Sequence, residues 1–248
     1  MSDLVSIKSI KFIFIAFFLF VFPLICFPAS SEETEKMVGN IHWLGQAGFR
    51  VEGSKVIYFD PWKLASDVPK ADFIFISHDH DDHFSKDDIA RISTKNTYIV
   101  TDMSVSSQLQ DFKEAVSQIK AMVPGEECLI GGLAVTATAS YNTNKKFHPQ
   151  DSKKLGFIVV VDGQRIYHAG DTDNIPEMKD YRCDIALLPV SGTYVMTAEE
   201  AAQAAIAIGP KVAIPMHYGE IVGSSNDAKR FQDLLKGKIE VRILTKNN

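Results

Sequence analysis

Residues 73–84 read FIFISHDHDDHF, an apolar run that changes abruptly into three histidines and three aspartates. A short, continuous apolar run is typical of a strand that is buried on both faces. In layered α/β folds such strands end at the edge of a sheet where ligands bind. The stretch therefore predicts a buried strand that delivers a polar cluster to a functional edge.

This cluster predicts a metal site. His78 and His80 are one residue apart, so in extended chain they face the same side, and a turn at 79–81 brings Asp82 and His83 to the same cavity. Imidazole and carboxylate groups are ligands of Zn²⁺ and similar cations. A solvated acidic turn is the alternative. It is disfavoured because the chain has only 7 histidines and three of them lie within six residues.

Two later segments follow the same pattern. RIYHAGDT is an apolar strand that ends at Gly170 and Asp171, and KVAIPMHYG is an apolar strand that ends at His217. Either residue alone is ambiguous, since an aspartate after glycine is more often a turn residue than a ligand. Together with the first cluster, they make a complete set of metal-ligand types at strand ends.

The distribution of strands and helices predicts an α/β fold in a single domain. Strand-type runs occur in two sets, one before and one after residue 130, with short helical patterns between them. The strongest helix is TAEEAAQAAIAIG, with Thr197 as its N-cap and Gly209 at its end. Two strand-rich halves with helices outside indicate two sheets packed face to face and covered by helices, a four-layer αββα sandwich.

The chain resembles a known family. The residues that carry the resemblance are H-x-H-x-D-H at 78–83, GDT at 170–172, the late His217, and the segments WLGQAGF, FDPW, ALLPVSGTY and IPMHYG. They are similar to the metallo-β-lactamase superfamily. More narrowly, they look like its small single-domain metal-dependent hydrolases, relatives of the ascorbate-lactone hydrolases and of N-acyl phosphatidylethanolamine phospholipase D. The resemblance implies a metallo-β-lactamase-like hydrolase domain over residues 38–246.

The resemblance also implies roles for the clustered residues. His78 and His80 would bind a first metal, Asp82, His83 and His217 a second, and Asp171 both. The implied cofactor is Zn²⁺, two ions per chain, with manganese or iron as alternatives. A hydroxide shared by two cations would attack the substrate, so that no serine or cysteine nucleophile is needed. Asp82 would be catalytic, because it lies beside this group and can orient it or accept a proton.

Three further residues are candidates for supporting the site. Asp60, in FDPW, is expected to hydrogen-bond the ligand loop rather than to bind metal. His168, just before GDT, is a candidate for support or substrate contact, with a structural role as the alternative. Gln46 occupies a position where many relatives have histidine, which leaves its role open.

The segment TATASYNTNKKFHPQ departs from the family pattern. Relatives usually supply a third histidine to the first metal from here, but the aligned position is Asn142. His148 lies six residues later, beside Lys145 and Lys146. It is expected near the site and is not assigned as a ligand. It either completes the first metal, contacts an anionic substrate group together with the lysines, or lies on the surface.

The N-terminal residues predict export. Lys8 and Lys11 precede an apolar stretch over 12–27, and small residues before Glu32 suit cleavage, so residues 1–31 are predicted to be a signal peptide. An uncleaved membrane anchor is the alternative. Either places the domain outside the cytoplasm, in the periplasm or beyond. The net charge of −5 and the lack of a basic stripe argue against nucleic acid as a partner.

The expected function is hydrolysis of a small-molecule ester, lactone, amide or phosphodiester. The expected substrates include anionic ones. Two alternatives share the fold: a metal-binding protein without efficient turnover, and an iron-dependent redox member. Fold alone does not choose between substrates.

Overall fold

The structure, a computed structural model, describes residues 31–247, and within them two β-sheets pack face to face. The first sheet has six strands that neighbour one another in chain order. Its first three strands are antiparallel, and each later strand is parallel to the one before it. The strands are β1 (Ile41–Gly45), β2 (Gly48–Glu52), β3 (Val56–Phe59), β4 (Phe73–Ile76), β5 (Tyr98–Thr101) and β6 (Gln118–Ala121).

The second sheet has seven strands, and these also neighbour one another in chain order. Antiparallel pairing connects the first four, and parallel pairing connects the last four, so that four successive strands end at the same edge. The strands are β7 (Glu127–Ile130), β8 (Leu133–Ala139), β9 (Leu155–Val161), β10 (Gln164–His168), β11 (Ile185–Pro189), β12 (Val212–Met216) and β13 (Glu240–Val241).

The strand β4 shows how the layers are built. All four of its residues are buried. Phe73 and Phe75 point into the core between the two sheets, whereas Ile74 and Ile76 pack under the helices on the outer face. The continuous apolar run thus arises because both faces of the strand are covered. The helices of the two outer layers are α2 (Lys86–Ile92), α3 (Met103–Gln108), α4 (Ala198–Ile208) and α5 (Ser225–Leu235), and helix α1 (Ser31–Gly39) contacts both sheets through β1 and β10.

The helix α4 begins and ends where the sequence predicts. The Thr197 side chain accepts a hydrogen bond from the Glu200 backbone N–H, and the Glu200 carboxylate accepts one from the Thr197 backbone N–H. Gly209 ends the helix in the left-handed conformation, with φ of 68°. A cap of this kind stabilises a helix by about 1 kcal/mol.

The predicted αββα sandwich is confirmed, but several of its elements were not predicted. The strands β6 and β7 were missed because half-exposed edge strands lack a clear apolar pattern. The helices α1 and α5 were also missed. The helix α3 is short: it ends at Gln108, and a 3₁₀ turn follows at Gln110–Phe112.

Helix α1 begins before residue 38, the predicted start of the domain, and that boundary stays a prediction. Helix α1 starts at Ser31 and buries Thr34, Met37 and Val38. The Thr34 hydroxyl donates to the Gln164 side chain at 2.8 Å, which joins α1 to the second sheet. The predicted signal peptide lies almost entirely outside the described residues and stays a prediction. Within 31–247, no helix has the length and apolar character needed to cross a membrane.

Candidate metal centre

The predicted ligands meet at one edge of the sandwich, where strands from both sheets end. The loop after β4 of the first sheet supplies His78, His80, Asp82 and His83. The second sheet supplies Asp171 after β10, His217 after β12, and His148 from the long connection between β8 and β9. The site thus lies at the carboxyl ends of the parallel strands, as is usual in such folds.

Three imidazoles form the first group. The Nε2 atom of His78 lies 3.1 Å from Nδ1 of His80, and the Nε2 atom of His148 lies 3.1 Å from the same atom. The sequence did not assign His148 as a ligand. The structure places it directly in this group of three ring nitrogens, where a metal would need its third histidine.

The second group comprises Asp82, His83 and His217, and Asp171 lies between the two groups. Its Oδ1 is 3.3 Å from Nε2 of His83, and its Oδ2 is 3.2 Å from Nε2 of His217 and 3.9 Å from Nε2 of His148. Among the described residues, Nε2 of His83 and Oδ1 of Asp171 are buried without a hydrogen-bond partner. Buried polar atoms are rarely left unpaired, so this donor set fits a bound cation.

The electrostatics prepare the histidines of the first group to bind metal. Burial lowers the pKa of His148 to about 4 and holds the pKa of His78 well below its usual range, so both rings are neutral at pH 7. Burial alone would raise the pKa of Asp171. The neighbouring His217 and His83 outweigh that effect and hold this pKa well below its usual range. Neutral imidazoles and a carboxylate are the protonation states that coordinate metals.

Asp60 orients two histidines of the cluster, His83 directly and His78 through Ser77. Its Oδ2 lies 2.7 Å from Nδ1 of His83, and a carboxylate only accepts, so His83 carries its proton on Nδ1 and presents Nε2 to the site. The Ser77 hydroxyl donates to the same carboxylate at 2.7 Å and lies 2.8 Å from Nδ1 of His78. Such contacts fix the tautomer and the direction of metal-binding histidines.

The other two candidates lie outside the ligand cluster. His168 is buried, stacks on Phe59 with ring centroids 5.1 Å apart, and donates to the Ala47 carbonyl at 2.8 Å. It therefore supports the turn between β1 and β2. The Asn142 amide donates to the carbonyls of Phe147 and Tyr194, at 2.9 Å and 2.7 Å, and so binds two loops together.

Gln46 reaches the second group from the turn between β1 and β2 of the first sheet. Its Nε2 donates to Oδ2 of Asp82 at 2.8 Å and lies 3.0 Å from Nε2 of His217. Its backbone carbonyl accepts from the His217 backbone N–H at 2.8 Å. The sequence left this position open. The structure makes it a direct neighbour of two predicted ligands.

Backbone strain is concentrated here. Gln46, Asp60, His148 and His217 have φ angles of 49°, 43°, 53° and 60°, a left-handed conformation that non-glycine residues rarely adopt. Residues are held in such conformations where the surrounding structure enforces them, commonly at functional sites.

The fold and this cluster of histidines and aspartates define a metal-dependent hydrolase. The beta-lactamase superfamily domain model matches residues 40–217, and the chain belongs to the metallo-β-lactamase superfamily.

Relatives and solved structures agree with this assignment. A UPF0173 metal-dependent hydrolase of Thermoplasma acidophilum is 34% identical over 207 residues, which cover 78% of this chain and 89% of that protein. A similar protein of Caldivirga maquilingensis is 31% identical, covering 79% and 89%. A solved structure from Parabacteroides distasonis, described as a metal-dependent hydrolase, is 32% identical with a TM-score of 0.73, covering 84% of this chain and 93% of that one.

Proposed function

We propose that this protein hydrolyses a small ester, lactone, amide or phosphodiester with two zinc ions at the edge of the sandwich. The observation that supports it most is the convergence of seven side chains from both sheets around unpaired, buried donor atoms. His78, His80 and His148 would hold one ion, Asp82, His83 and His217 the other, and Asp171 would contact both. Imidazole and carboxylate donors suit zinc, and manganese and iron accept the same ligands.

Two such cations supply Lewis acidity and lower the pKa of water toward neutrality. The side chains of this protein supply the positioning. Asp82 is the most exposed carboxylate of the cluster, with 19% of its side chain accessible, and it lines the cavity above the site. One of its oxygens is held by Gln46, and the carboxylate is placed to orient an attacking water and to accept its proton.

The proposal is tested by metal content and turnover measured on the same samples. Purified protein should contain zinc-class metal. After loading with zinc, it should hydrolyse at least one member of a panel of esters, lactones, amides and phosphodiesters. Chelation should abolish turnover, and added zinc should restore it. His80→Ala and Asp82→Ala should each lower turnover at least about 100-fold, in line with the loss of metal-site geometry.

His42→Ala is the matched control. This histidine lies on β1 and its ring contacts Asn247 and Glu52, outside the cluster. It should leave metal content and turnover unchanged. Turnover that survives complete removal of the metal would refute the proposal.

We infer in addition that the protein acts outside the cytoplasm on a small molecule and does not bind nucleic acid. The basic and apolar N-terminal segment supports export, and the net charge of −5 disfavours phosphate backbones as partners. Salt-sensitive binding to RNA or DNA at physiological ionic strength would contradict the second statement.

A further inference from the structure

The cavity above the site has an apolar rim. It encloses about 160 Å³, and five of the residues that we propose to hold metal form its floor. Phe147, Tyr194 and Ile221 line the rest of it. Phe147 and Ile221 are 45% and 53% exposed, although side chains of this type are normally buried.

None of the described residues that line this cavity is a lysine or an arginine. Two lysines close in sequence to His148 and β9 are already paired with carboxylates. Lys145 forms a buried ion pair with Asp173, and Lys154 pairs with Asp79 at 3.0 Å. Of the two lysines that the sequence suggested for an anionic substrate, Lys145 is therefore neutralised by a carboxylate of the protein, and Lys146 is exposed and does not line the cavity.

Asn142 holds the aromatic part of the rim in place. The rings of Phe147 and Tyr194 meet edge to face with centroids 5.1 Å apart, and they belong to loops of different strands. The Asn142 amide donates to the backbone carbonyls of both residues, and its backbone N–H donates to the His148 carbonyl at 2.7 Å. One buried residue thus fixes the rim relative to His148, which we propose as a metal ligand.

We propose that Phe147, Tyr194 and Ile221 form the binding site for a neutral, apolar group of the substrate next to the bond that is cleaved. This inference rests on the proposed function and narrows its substrate class. A volume of 160 Å³ is roughly five times that of a water molecule, so the group is a short alkyl chain or a small ring. Asn142 is a positioning residue for this site.

The test is binding of alkyl hydroxamates, which chelate zinc and differ only in chain length. The dissociation constants of the series from acetohydroxamate to hexanohydroxamate are measured by calorimetry on the zinc-loaded protein. Each added methylene should tighten binding about fourfold until the cavity is full. Succinate monohydroxamate, which ends in a carboxylate, should bind at least about tenfold more weakly than an alkyl chain of the same length.

Variants separate the rim from the metal site. Phe147→Ala, Ile221→Ala and Asn142→Ala should flatten the dependence on chain length without changing the zinc content. Leu129→Ala is the control, because this leucine is 75% exposed on β7 and lies outside the cavity. It should leave the dependence unchanged.

The outcomes distinguish this inference from the proposed function. Equal affinity across the series, no binding, or tighter binding of the carboxylate would overturn the apolar site even if the protein is a hydrolase. The expected series from a protein that cleaves no substrate would reject hydrolysis and keep the apolar site.

Discussion

Replacing Asp60 with asparagine tests how the metal centre is organised. The side chain keeps its shape but loses one acceptor oxygen and its charge. Asp60 accepts three hydrogen bonds at 2.7 Å, from the Ser77 backbone N–H, the Ser77 hydroxyl and Nδ1 of His83. If the asparagine oxygen keeps the Ser77 N–H, its NH₂ group faces His83 and favours the tautomer with the proton on Nε2. That tautomer cannot bind metal through Nε2.

The expected cost follows from this change of tautomer. Loss of a carboxylate that orients a metal-binding histidine weakens metal binding about 10- to 100-fold, which is about 1.4 to 2.7 kcal/mol. We expect this loss at the second group, which contains His83, and little change at the first. The assay is competition for zinc with a chromogenic chelator, which resolves the two binding steps, together with thermal melting of the metal-free protein.

Asp88→Asn is the matched control. Asp88 is also a buried aspartate, and it accepts hydrogen bonds from the backbone N–H groups of Lys63 and Leu64 at 2.8 Å and 3.2 Å, away from the cluster. It should lower the melting temperature and leave zinc affinity unchanged. If Asp60→Asn folds and binds both zinc ions within about twofold of the original affinity, the assigned role of Asp60 is refuted.

Three further predictions concern Gln46, His148 and the N-terminal segment. Gln46→Leu removes the donor to Asp82 and should lower kcat about tenfold with little change in KM, as expected for loss of a charged hydrogen bond. Gln46→His should recover most of the lost kcat. Equal loss of kcat in both variants would contradict the role of this hydrogen bond. In metal-free protein, burial lowers the pKa of His148 to about 4, against about 6.5 in an unfolded chain. The unfolded chain therefore binds more protons between these values, and the free energy of unfolding should rise from about pH 4 to about 6.5. Melting curves of His148→Gln should show a smaller rise of the melting temperature over this pH range. Mass spectrometry of protein from a secreting host should find a chain that starts near Glu32, and a soluble full-length chain in the cytoplasm would contradict export.

Much of the site could be predicted because its ligands follow local rules. His78, His80, Asp82 and His83 lie close in sequence, so one strand and one turn bring them together. Asp171 and His217 were found by a different rule: each follows an apolar strand, and parallel strands end at the same edge.

His148 shows where sequence reasoning stopped. It lies in the connection between β8 and β9, where only a 3₁₀ turn at Gln150–Ser152 interrupts an irregular chain. No periodicity tells which residue of such a segment points inward. The hydrogen bond from the Asn142 N–H to the His148 carbonyl holds this part of the segment in place, and that contact depends on the tertiary fold. The contacts of Gln46 could not be predicted from the sequence either, since its partners lie 36 and 171 residues away.

The spread of the ligands along the chain has a consequence for biosynthesis. The ligand set runs from His78 to His217, and the two sheets contribute to each ion that we propose. In a small zinc finger, by contrast, the metal drives folding of a short segment. Here a nascent chain displays the His78–His83 loop before its partners have been synthesised, and at about 5–20 residues per second they follow several seconds later. Full metal loading therefore comes after the second half has folded, and cells that make this protein must supply the ion to an already assembled sandwich.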